Sequence, residues 1–296
     1  LRLNLAATAP ILASVSEMSL SGVPFRKMNG LGNDFVIVDL RGVRARMTED
    51  SARRIADRRA GVGCDQVITI EDQDGPFMGV WNADGTGAGA CGNAARCVGA
   101  ILMAETGETA VGMETPSGFI TAERVGANRI AVDMGVPKFH WKQTPLAEEI
   151  QDTRFVDIKL GPIDKPVLWG PSAVNMGNPH CVFFVDDVAA HKLEIFGPMI
   201  ENHPMFPDRA NVSLAEVKGR QLIRLRVWER GAGVTKACGT AACAAVVAAN
   251  RRRLTDRKVS VELDGGLLAI EWRDDDHVIM TGPYEFDYEG LLPEGL

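Results

Sequence analysis

One stretch of this chain occurs twice, and the second copy aligns with the first without a gap. The copies run from Val80 to Ala95 and from Val227 to Ala242. Each passes from an apolar segment ending in Trp, through a glycine-rich turn, to Cys-Gly and an alanine-rich stretch that predicts a helix. Cys91 and Cys238 therefore hold equivalent places at two helix N-termini, where free N–H groups and the macrodipole favour a thiolate.

The duplication continues on both sides of the two cysteines. Further matched segments occur in the same order and at nearly the same separation: Gly32-Asn33 with Gly177-Asn178, Asp65–Glu71 with Ala210–Glu216, and Val111–Glu114 with Val259–Glu262. Segments that recur in constant order are the signature of a repeated structural unit. The chain is therefore expected to contain two copies of one fold.

Each copy predicts many short strands and few helices. The helices are expected at Thr48–Arg58, with Thr48 as N-cap, and at Gly92–Glu105, Leu193–Asn202 and Gly239–Arg253. Residues 241–249 are apolar on every side, which predicts a buried helix. The expected fold class is α+β, with two pseudo-symmetric domains. In each, a mostly antiparallel sheet or barrel surrounds a central buried helix, and the active site lies in the interdomain cleft.

The domain boundary is expected near Pro137–Lys142, where a predicted hairpin gives way to polar, proline-containing sequence. Residues 1–20 then form an N-terminal extension outside the fold. Residues 21–139 form the N-terminal domain and 140–283 the C-terminal domain. The last residues, 284–296, are placed to pack back on the N-terminal domain.

Composition excludes several classes of protein. The chain is 46% hydrophobic and 24% charged, with a net charge of −7, which is ordinary for a globular domain and argues against nucleic-acid binding. The short run Arg251–Arg253 falls where a helix should end and indicates dipole compensation. No apolar run reaches the roughly 20 residues of a membrane helix. Six cysteines are too sparse for a disulfide scaffold, so a reducing cytoplasm is expected.

Two thiols on opposite sides of a cleft suit inversion at a carbon atom. A thiolate removes the α-proton from one face while the opposing thiol of Cys91 or Cys238 delivers a proton to the other. The backbone N–H groups at the two helix starts could hold the substrate carboxylate as negative charge develops. These groups belong to Gly92, Asn93, Gly239 and Thr240. The remaining cysteines, Cys64, Cys97, Cys181 and Cys243, are expected to be packing residues, and no metal site is expected.

Polar residues at the heads of the duplicated strands indicate an amino acid ligand. They form the pairs Asn33 and Asn178, Gln66 and Asn211, and Asn82 and Glu229, with Arg230 beside Glu229. Amides both donate and accept, and arginine clamps a carboxylate. The mismatch of Asn82 with Glu229 allows a ligand with two dissimilar ends. His180, next to the duplicated asparagine, is either a structural or a catalytic residue.

At these residues the chain resembles the diaminopimelate epimerase family of lysine and cell-wall synthesis. The motifs that carry the resemblance are Asn82-Ala83-Asp84-Gly85, Cys91-Gly92-Asn93, Met176-Gly177-Asn178-Pro179-His180, Glu229-Arg230-Gly231 and Cys238-Gly239-Thr240. The chain departs from the usual pattern at Asn29, Cys64, Ala94 and Ala241. The resemblance implies an isomerase that needs no cofactor and acts on a small amino acid, and it leaves a homodimer open.

The resemblance also implies roles for individual residues. Cys91 and Cys238 would be the acid and base, and His180 and Glu229 would assist them. Substrate would be held by Asn33, Gln66, Asn82, Gly92, Asn93, Asn178, Asn211, Glu229, Arg230, Gly239 and Thr240. Three other functions stay open at this point: a proline or hydroxyproline racemase, a thiol oxidoreductase, and an amino acid binding protein without catalysis.

Overall fold

The structure is a computed structural model that describes residues 19–89 and 91–295, and its elements occur in the same order twice. The first copy consists of β1 (Pro24–Gly30), β2 (Asn33–Asp39), α1 (Glu49–Ala56), β3 (Gln66–Asp72), β4 (Pro76–Asn82), β5 (Gly87–Ala88), α2 (Gly92–Thr106), β6 (Ala110–Thr115), β7 (Gly118–Gly126) and β8 (Arg129–Asp133). A connecting segment follows, with a two-stranded sheet of β9 (Lys159–Leu160) and β10 (Leu168–Trp169).

The second copy repeats this order element by element. It consists of β11 (Ser172–Asn175), β12 (Pro179–Phe184), a short 3-10 helix (Val188–Ala190), α3 (Leu193–Glu201), β13 (Asn211–Gly219), β14 (Leu222–Glu229), β15 (Gly233–Thr235), α4 (Gly239–Arg251), β16 (Lys258–Leu263), β17 (Gly266–Trp272) and β18 (Val278–Pro283). The chain ends with β19 (Glu285–Leu291). The four helices start where the sequence predicts and end no more than about two residues away, within the usual fraying of helix ends.

Strand pairing is also the same in both copies. β2 and β3 pair in parallel, as do β12 and β13, and β4 and β6 correspond to the parallel pair β14 and β16. All other neighbours are antiparallel. The last strands of the two copies, β8 and β18, pair with each other and join the halves into one sheet. The predicted α+β class, with duplicated and mostly antiparallel sheets, is confirmed.

Each copy surrounds one helix with its sheet. Every residue of α4 from Ala241 to Ala249 is 0% exposed, as its lack of a polar face predicts. In α2, residues 92–103 are all buried. These helices lie in separate hydrophobic clusters, one per copy. Their positions are therefore fixed by burial, and so are the cysteines at their N-termini.

The connecting segment packs on the second copy. Arg251 donates to the Thr153 hydroxyl at 3.1 Å, and Arg252 donates to the Arg154 oxygen at 2.9 Å. The Arg252 guanidinium also lies over the rings of Phe155 and Phe184. The arginine run at the end of α4 thus does more than compensate a helix dipole, because it ties the connecting segment to the helix.

The first and last described residues pack together in the first copy. β19 pairs with β1 in antiparallel register, and Leu292 shares a buried cluster with Leu20 and Phe25. Leu20, at the end of the predicted extension, therefore belongs to the packed fold, while residues 1–18 lie outside the described residues. No helix in the described part of the chain is long and apolar enough to cross a membrane.

Candidate active site

Cys91 and Cys238 are the N-cap residues of the two central helices. Both have extended backbone, with φ −138° and ψ 108° for Cys91 and φ −129° and ψ 112° for Cys238. Neither thiol caps its helix through the usual side-chain bond to N2 or N3 in the described structure. First-turn amides, from Asn93 and Ala94 in one helix and Ala241 in the other, instead stabilise the thiolate forms.

The two helix starts meet at one methionine of β18. A Cβ atom added to Gly92 would lie 2.6 Å from Met280 Cε, and one added to Gly239 would lie 2.7 Å from Met280 Sδ. Asn93 Nδ2 donates across the junction to the backbone oxygen of Ala237 at 3.4 Å. Glycine after each cysteine is therefore what allows the starts of α2 and α4 to approach this closely.

Burial dominates the acidity of both thiols. It raises the pKa of Cys91 to about 11, although first-turn N–H groups and Arg96 act in the opposite direction. Burial, and then the charge of Glu229, raise the pKa of Cys238 well above its usual range. The helix N-terminus predicts a favoured thiolate, but its effect of about 1 kcal/mol is smaller than the cost of a buried charge. Both cysteines are therefore thiols at neutral pH.

Asn33 lies beside the first thiol. Cys91 Sγ is 3.9 Å from Asn33 Oδ1, and Asn93 Nδ2 donates to the same oxygen at 3.4 Å. Asn33 Nδ2 donates to Asp65 Oδ2 at 3.0 Å, and Asp65 is held in turn by Arg58 at 2.7 Å. Asp65 thus sets the orientation of the Asn33 amide, with its oxygen towards the thiol.

Gln66 and Asn82 form a second polar pair in the first copy. They are opposite residues on β3 and β4, and Gln66 Nε2 donates to Asn82 Oδ1 at 3.0 Å. Asn82 Nδ2 donates to the Thr86 hydroxyl at 3.1 Å. The strand register therefore brings these two predicted residues together.

Glu229 lies beside the second thiol. It is close enough to Cys238 for a hydrogen bond, and its charge also raises the pKa of Cys91. Thr235 Oγ1 donates to Glu229 Oε1 at 2.5 Å, while burial raises the pKa of this carboxyl. Thr240 Oγ1 lies 3.5 Å from Cys238 Sγ. One carboxylate therefore acts on both thiols.

His180 and Asn178 form a buried pair in the second copy. His180 Nε2 lies 2.7 Å from Asn178 Oδ1, which assigns the proton to Nε2. Burial, with a smaller effect of Arg230, lowers the pKa of His180 to about 3. The ring is therefore neutral at neutral pH. Its Nδ1 atom has no partner in the described part of the chain.

Asn211 is bonded to backbone at both ends of its amide. Its Nδ2 donates to the Pro179 oxygen at 3.1 Å, and its Oδ1 accepts from Arg230 N at 3.0 Å. The Arg230 side chain donates to the Asp208 oxygen at 2.8 Å. Asn211 therefore fixes the turn that presents Glu229 and Arg230, a role that its matched position in the sequence does not reveal.

The remaining expectations concern packing. Cys64, Cys97, Cys181 and Cys243 are buried and free, and desolvation raises the pKa of each thiol, which confirms the packing prediction. Among the departures from the family pattern, Ala94 and Ala241 are buried, and Asn29 donates to Asp287 on β19 at 2.9 Å. No cluster of His, Cys, Asp and Glu in the described residues could hold a metal ion.

Four further residues complete the site and are missed by reasoning from the duplication: Asp65, Arg96, Thr235 and Met280. Asp65 lies opposite Ala210 in the alignment of the two copies, and Thr235 opposite Ala88. Comparison of the copies selects residues that are shared, so it passes over supports present in only one. The place of Asp65 directly before the matched residue Gln66 is the one signal that could have found it.

Two solved structures share the duplicated architecture. A predicted epimerase from Pseudomonas aeruginosa matches with a TM-score of 0.65 at 15% identity, over 91% of this chain and 99% of that one. A hydroxyproline epimerase from Agrobacterium vitis, solved with trans-4-hydroxy-L-proline, matches with a TM-score of 0.64 at 13% identity, over 92% of this chain and 93% of that one. The fold thus defines a class of duplicated, mostly antiparallel α+β proteins, and these two structures share it.

Sequence similarity narrows this class to one family. The family model for diaminopimelate epimerase matches residues 25–140 and 172–286, which are the two copies. A diaminopimelate epimerase from Nitrobacter hamburgensis is 50% identical over 284 residues, covering 94% of this chain and 98% of the relative. One from Brucella anthropi is 51% identical over 273 residues, covering 90% and 91%. The chain belongs to the diaminopimelate epimerase family.

Proposed function

We propose that this protein inverts one α-carbon of LL-diaminopimelate to give meso-diaminopimelate, with Cys91 and Cys238 as the two proton-transfer groups and no cofactor. The observation that carries this proposal is the convergence of two Cys-Gly helix starts, one from each copy, on Met280. Family membership supplies the substrate. The reaction is an isomerisation, so no atom is gained or lost.

Glu229 generates the base. Because burial keeps both thiols protonated, one of them must lose its proton once substrate is bound. The Glu229 carboxylate is placed to accept the proton of Cys238. The Cys238 thiolate then removes the α-proton from one face, and the Cys91 thiol delivers its proton to the other face. The negative charge ends on Cys91, from which the reverse reaction can start.

The helix starts stabilise the negative charge that develops on the substrate carboxylate. The N–H groups of Gly92, Asn93, Gly239 and Thr240 belong to first helical turns, where donors are unpaired within the helix. In this proposal the amides of Asn33, Gln66, Asn82 and Asn178, with Glu229 and Arg230, orient the amino acid heads. His180 is neutral and holds Asn178 rather than donating a proton.

A hydrogen-exchange experiment tests the proposal. LL-Diaminopimelate incubated with the protein in deuterated water should gain one deuterium at the inverted α-carbon, because the proton delivered comes from an exchanged thiol. Mass spectrometry with chiral separation follows label and configuration together. Inversion without label would refute the two-thiol mechanism. It would also be refuted if the activity that the Cys238→Ser substitution abolishes produced no inversion.

A substrate panel separates the alternatives. Fold similarity to a hydroxyproline epimerase at 13% identity does not indicate which substrate this protein uses. Relatives at 50% identity, in contrast, are named diaminopimelate epimerase. Inversion of proline or hydroxyproline without turnover of diaminopimelate would place the protein among the racemases. Tight binding without exchange would indicate a binding protein, and thiol-dependent peroxide consumption would indicate an oxidoreductase.

The setting of the reaction belongs to the same proposal. A pair of working thiols requires a reducing compartment, which favours the cytoplasm. Residues 21–139 and 140–283 are proposed as the two domains, and limited proteolysis between them would test the boundary. A homodimer is an expectation that sedimentation equilibrium would test.

A further inference from the structure

Arg96 is a buried cation that forms no ion pair with any described residue. It lies on α2, is 0% exposed, and donates from Nε to the Pro283 oxygen at 3.0 Å. Its Nη1 lies 3.8 Å from Met280 Sδ, and its Nη2 has no partner among the described residues. Buried charged groups are normally paired, so an unpaired one calls for an explanation.

The surrounding backbone is built to admit this guanidinium. A Cβ atom on Gly30 would lie 2.8 Å from Arg96 Nη2, and one on Gly282 would lie 3.1 Å from Arg96 Cζ. The Cβ atom on Gly30 would also lie 3.4 Å from the Asn93 oxygen. The side chain therefore runs back along α2 to its first turn, the direction that helical side chains prefer. Glycines on β1 and β18 provide the space.

The charge lies between two helix N-termini that are themselves positive. Met280 contacts the starts of both α2 and α4 as well as Arg96. The titratable groups that act on Arg96 are the thiols of Cys91, Cys97 and Cys243 and the guanidinium of Arg129. Burial lowers the pKa of Arg96, but a guanidinium stays protonated in proteins. The electrostatic field around Arg96 and the two helix starts therefore favours an anion.

The duplication shows that packing does not require a cation at this place. In the aligned second copy the position of Arg96 is occupied by Cys243, which is also 0% exposed. Cys238 has Glu229 beside it instead. The charge of Glu229 thus raises the pKa of both thiols, whereas the fixed charge of Arg96 opposes this effect at Cys91.

We propose that Arg96 is a positioning residue whose fixed charge stabilises the thiolate of Cys91 over that of Cys238. Its consequence for catalysis rests on the proposed function: Arg96 stabilises the negative charge left on Cys91 once this thiol has delivered its proton, the state from which the reverse reaction starts. The effect on the thiols themselves exists without substrate, so it can be measured whether or not the protein turns over diaminopimelate.

Site-resolved alkylation of the free enzyme tests the proposal. Wild type and Arg96→Met are treated with iodoacetamide from pH 7 to pH 11, and peptide mass spectrometry reports the rate at each cysteine. In Arg96→Met the apparent pKa of Cys91 should rise by about one unit, so that its alkylation at pH 9 slows about tenfold. The rate at Cys238 should change less than about threefold.

Arg96→Lys is the matched control, because it keeps the charge while changing the hydrogen bonds. Its Cys91 profile should stay close to that of the wild type. Unchanged Cys91 alkylation in Arg96→Met, or an equal slowing in Arg96→Lys, would overturn the proposal, since the second result would indicate lost packing. Circular dichroism checks each fold, and Arg96→Gln replaces Arg96→Met if the latter does not fold. If Cys91 alkylation slows in Arg96→Met as expected but the wild type incorporates no deuterium into substrate, the proposed function is refuted and the role of Arg96 is not.

Discussion

The two thiols occupy equivalent helix positions and differ in their neighbours. Glu229 acts on both thiols, but Cys91 also has the Asn33 oxygen and the charge of Arg96, whereas Cys238 has the Thr240 hydroxyl. The helices alone would make the site symmetric. Single residues present in one copy therefore decide where the proton and the negative charge reside.

Replacing Thr235 by valine should move the acid limb of the pH profile. The Thr235 hydroxyl donates to Glu229 and lowers its pKa, opposing burial. Glu229 must be ionised to accept the proton of Cys238, so loss of this bond raises the pH below which activity falls. A hydrogen bond to a charged group is worth about 1.5–3 kcal/mol, so we expect a shift of about one pH unit in kcat/KM.

Thr235→Ser is the control for this shift, because it retains the hydroxyl and should keep the wild-type profile. The measurement is kcat/KM for LL-diaminopimelate from pH 5 to pH 9. An acid limb that does not move in the valine variant would show that Glu229 does not titrate in the free enzyme, and would remove it as the proton acceptor.

At the scale of elements, helices and turns present the site. Thr48 caps α1 with a reciprocal bond pair to Ser51. The turn after β4 packs on this helix, because Gly85 lies against the Glu49 oxygen at its start and Arg53 in its last turn donates to the Asp84 oxygen at 3.0 Å. Asn82 begins that turn. The position of a predicted ligand-binding amide thus depends on the N-terminus of a helix outside the site.

Gly85→Ala should displace Asn82. Gly85 has φ +90°, and a Cβ atom there would lie 2.2 Å from the Glu49 backbone oxygen, which cannot move without shifting α1. We expect a loss of about 1–3 kcal/mol in the free energy of unfolding from backbone strain. Because a displacement of about 1 Å at a site can be costly, kcat/KM should fall at least about tenfold.

Gly87→Ala, at the start of β5 directly after this turn, is the matched control, because its Cβ atom would meet nothing within 4 Å. Urea unfolding and initial rates are measured for both variants. Equal behaviour of the two would show that the contact with α1 does not hold the turn in place.

Elements are also the scale at which sequence predicts best. The start of α1 follows from its capping residue Thr48, and the burial of α4 follows from its apolar pattern, since both signals are local. The paired polar residues follow from the duplication. What could not be predicted is non-local: Met280 joining two helix starts, Asn211 bonded to backbone at both ends, and burial outweighing the helix dipole at Cys91. Each depends on segments distant in sequence that only the fold brings together.

At the scale of the whole molecule, strand pairing joins the halves at two places in the described part of the chain. β8 pairs with β18, and β19 runs from the end of the second copy to pair with β1 of the first. Met280 and Pro283, which contact Arg96 of the first copy, lie on β18. The candidate active site is therefore formed by both halves, and its geometry depends on the strands that hold them together.

Substitution of Leu292, near the C-terminal end of the sequence, tests whether the site depends on the strands that join the halves. It is 2% exposed and packs with Leu20 and Phe25, and its backbone bonds to Gly22 and Val23 at 2.9 Å. Leu292→Ala should cost about 2–5 kcal/mol in the free energy of unfolding by leaving a cavity. Its neighbour Leu291 is 65% exposed, so Leu291→Ala should change stability by less than about 0.5 kcal/mol.

Urea unfolding followed by fluorescence and by loss of epimerase activity should give one shared midpoint for each variant. Separate midpoints for Leu292→Ala would show that the C-terminal segment stabilises the first copy locally, without holding the two halves as one unit.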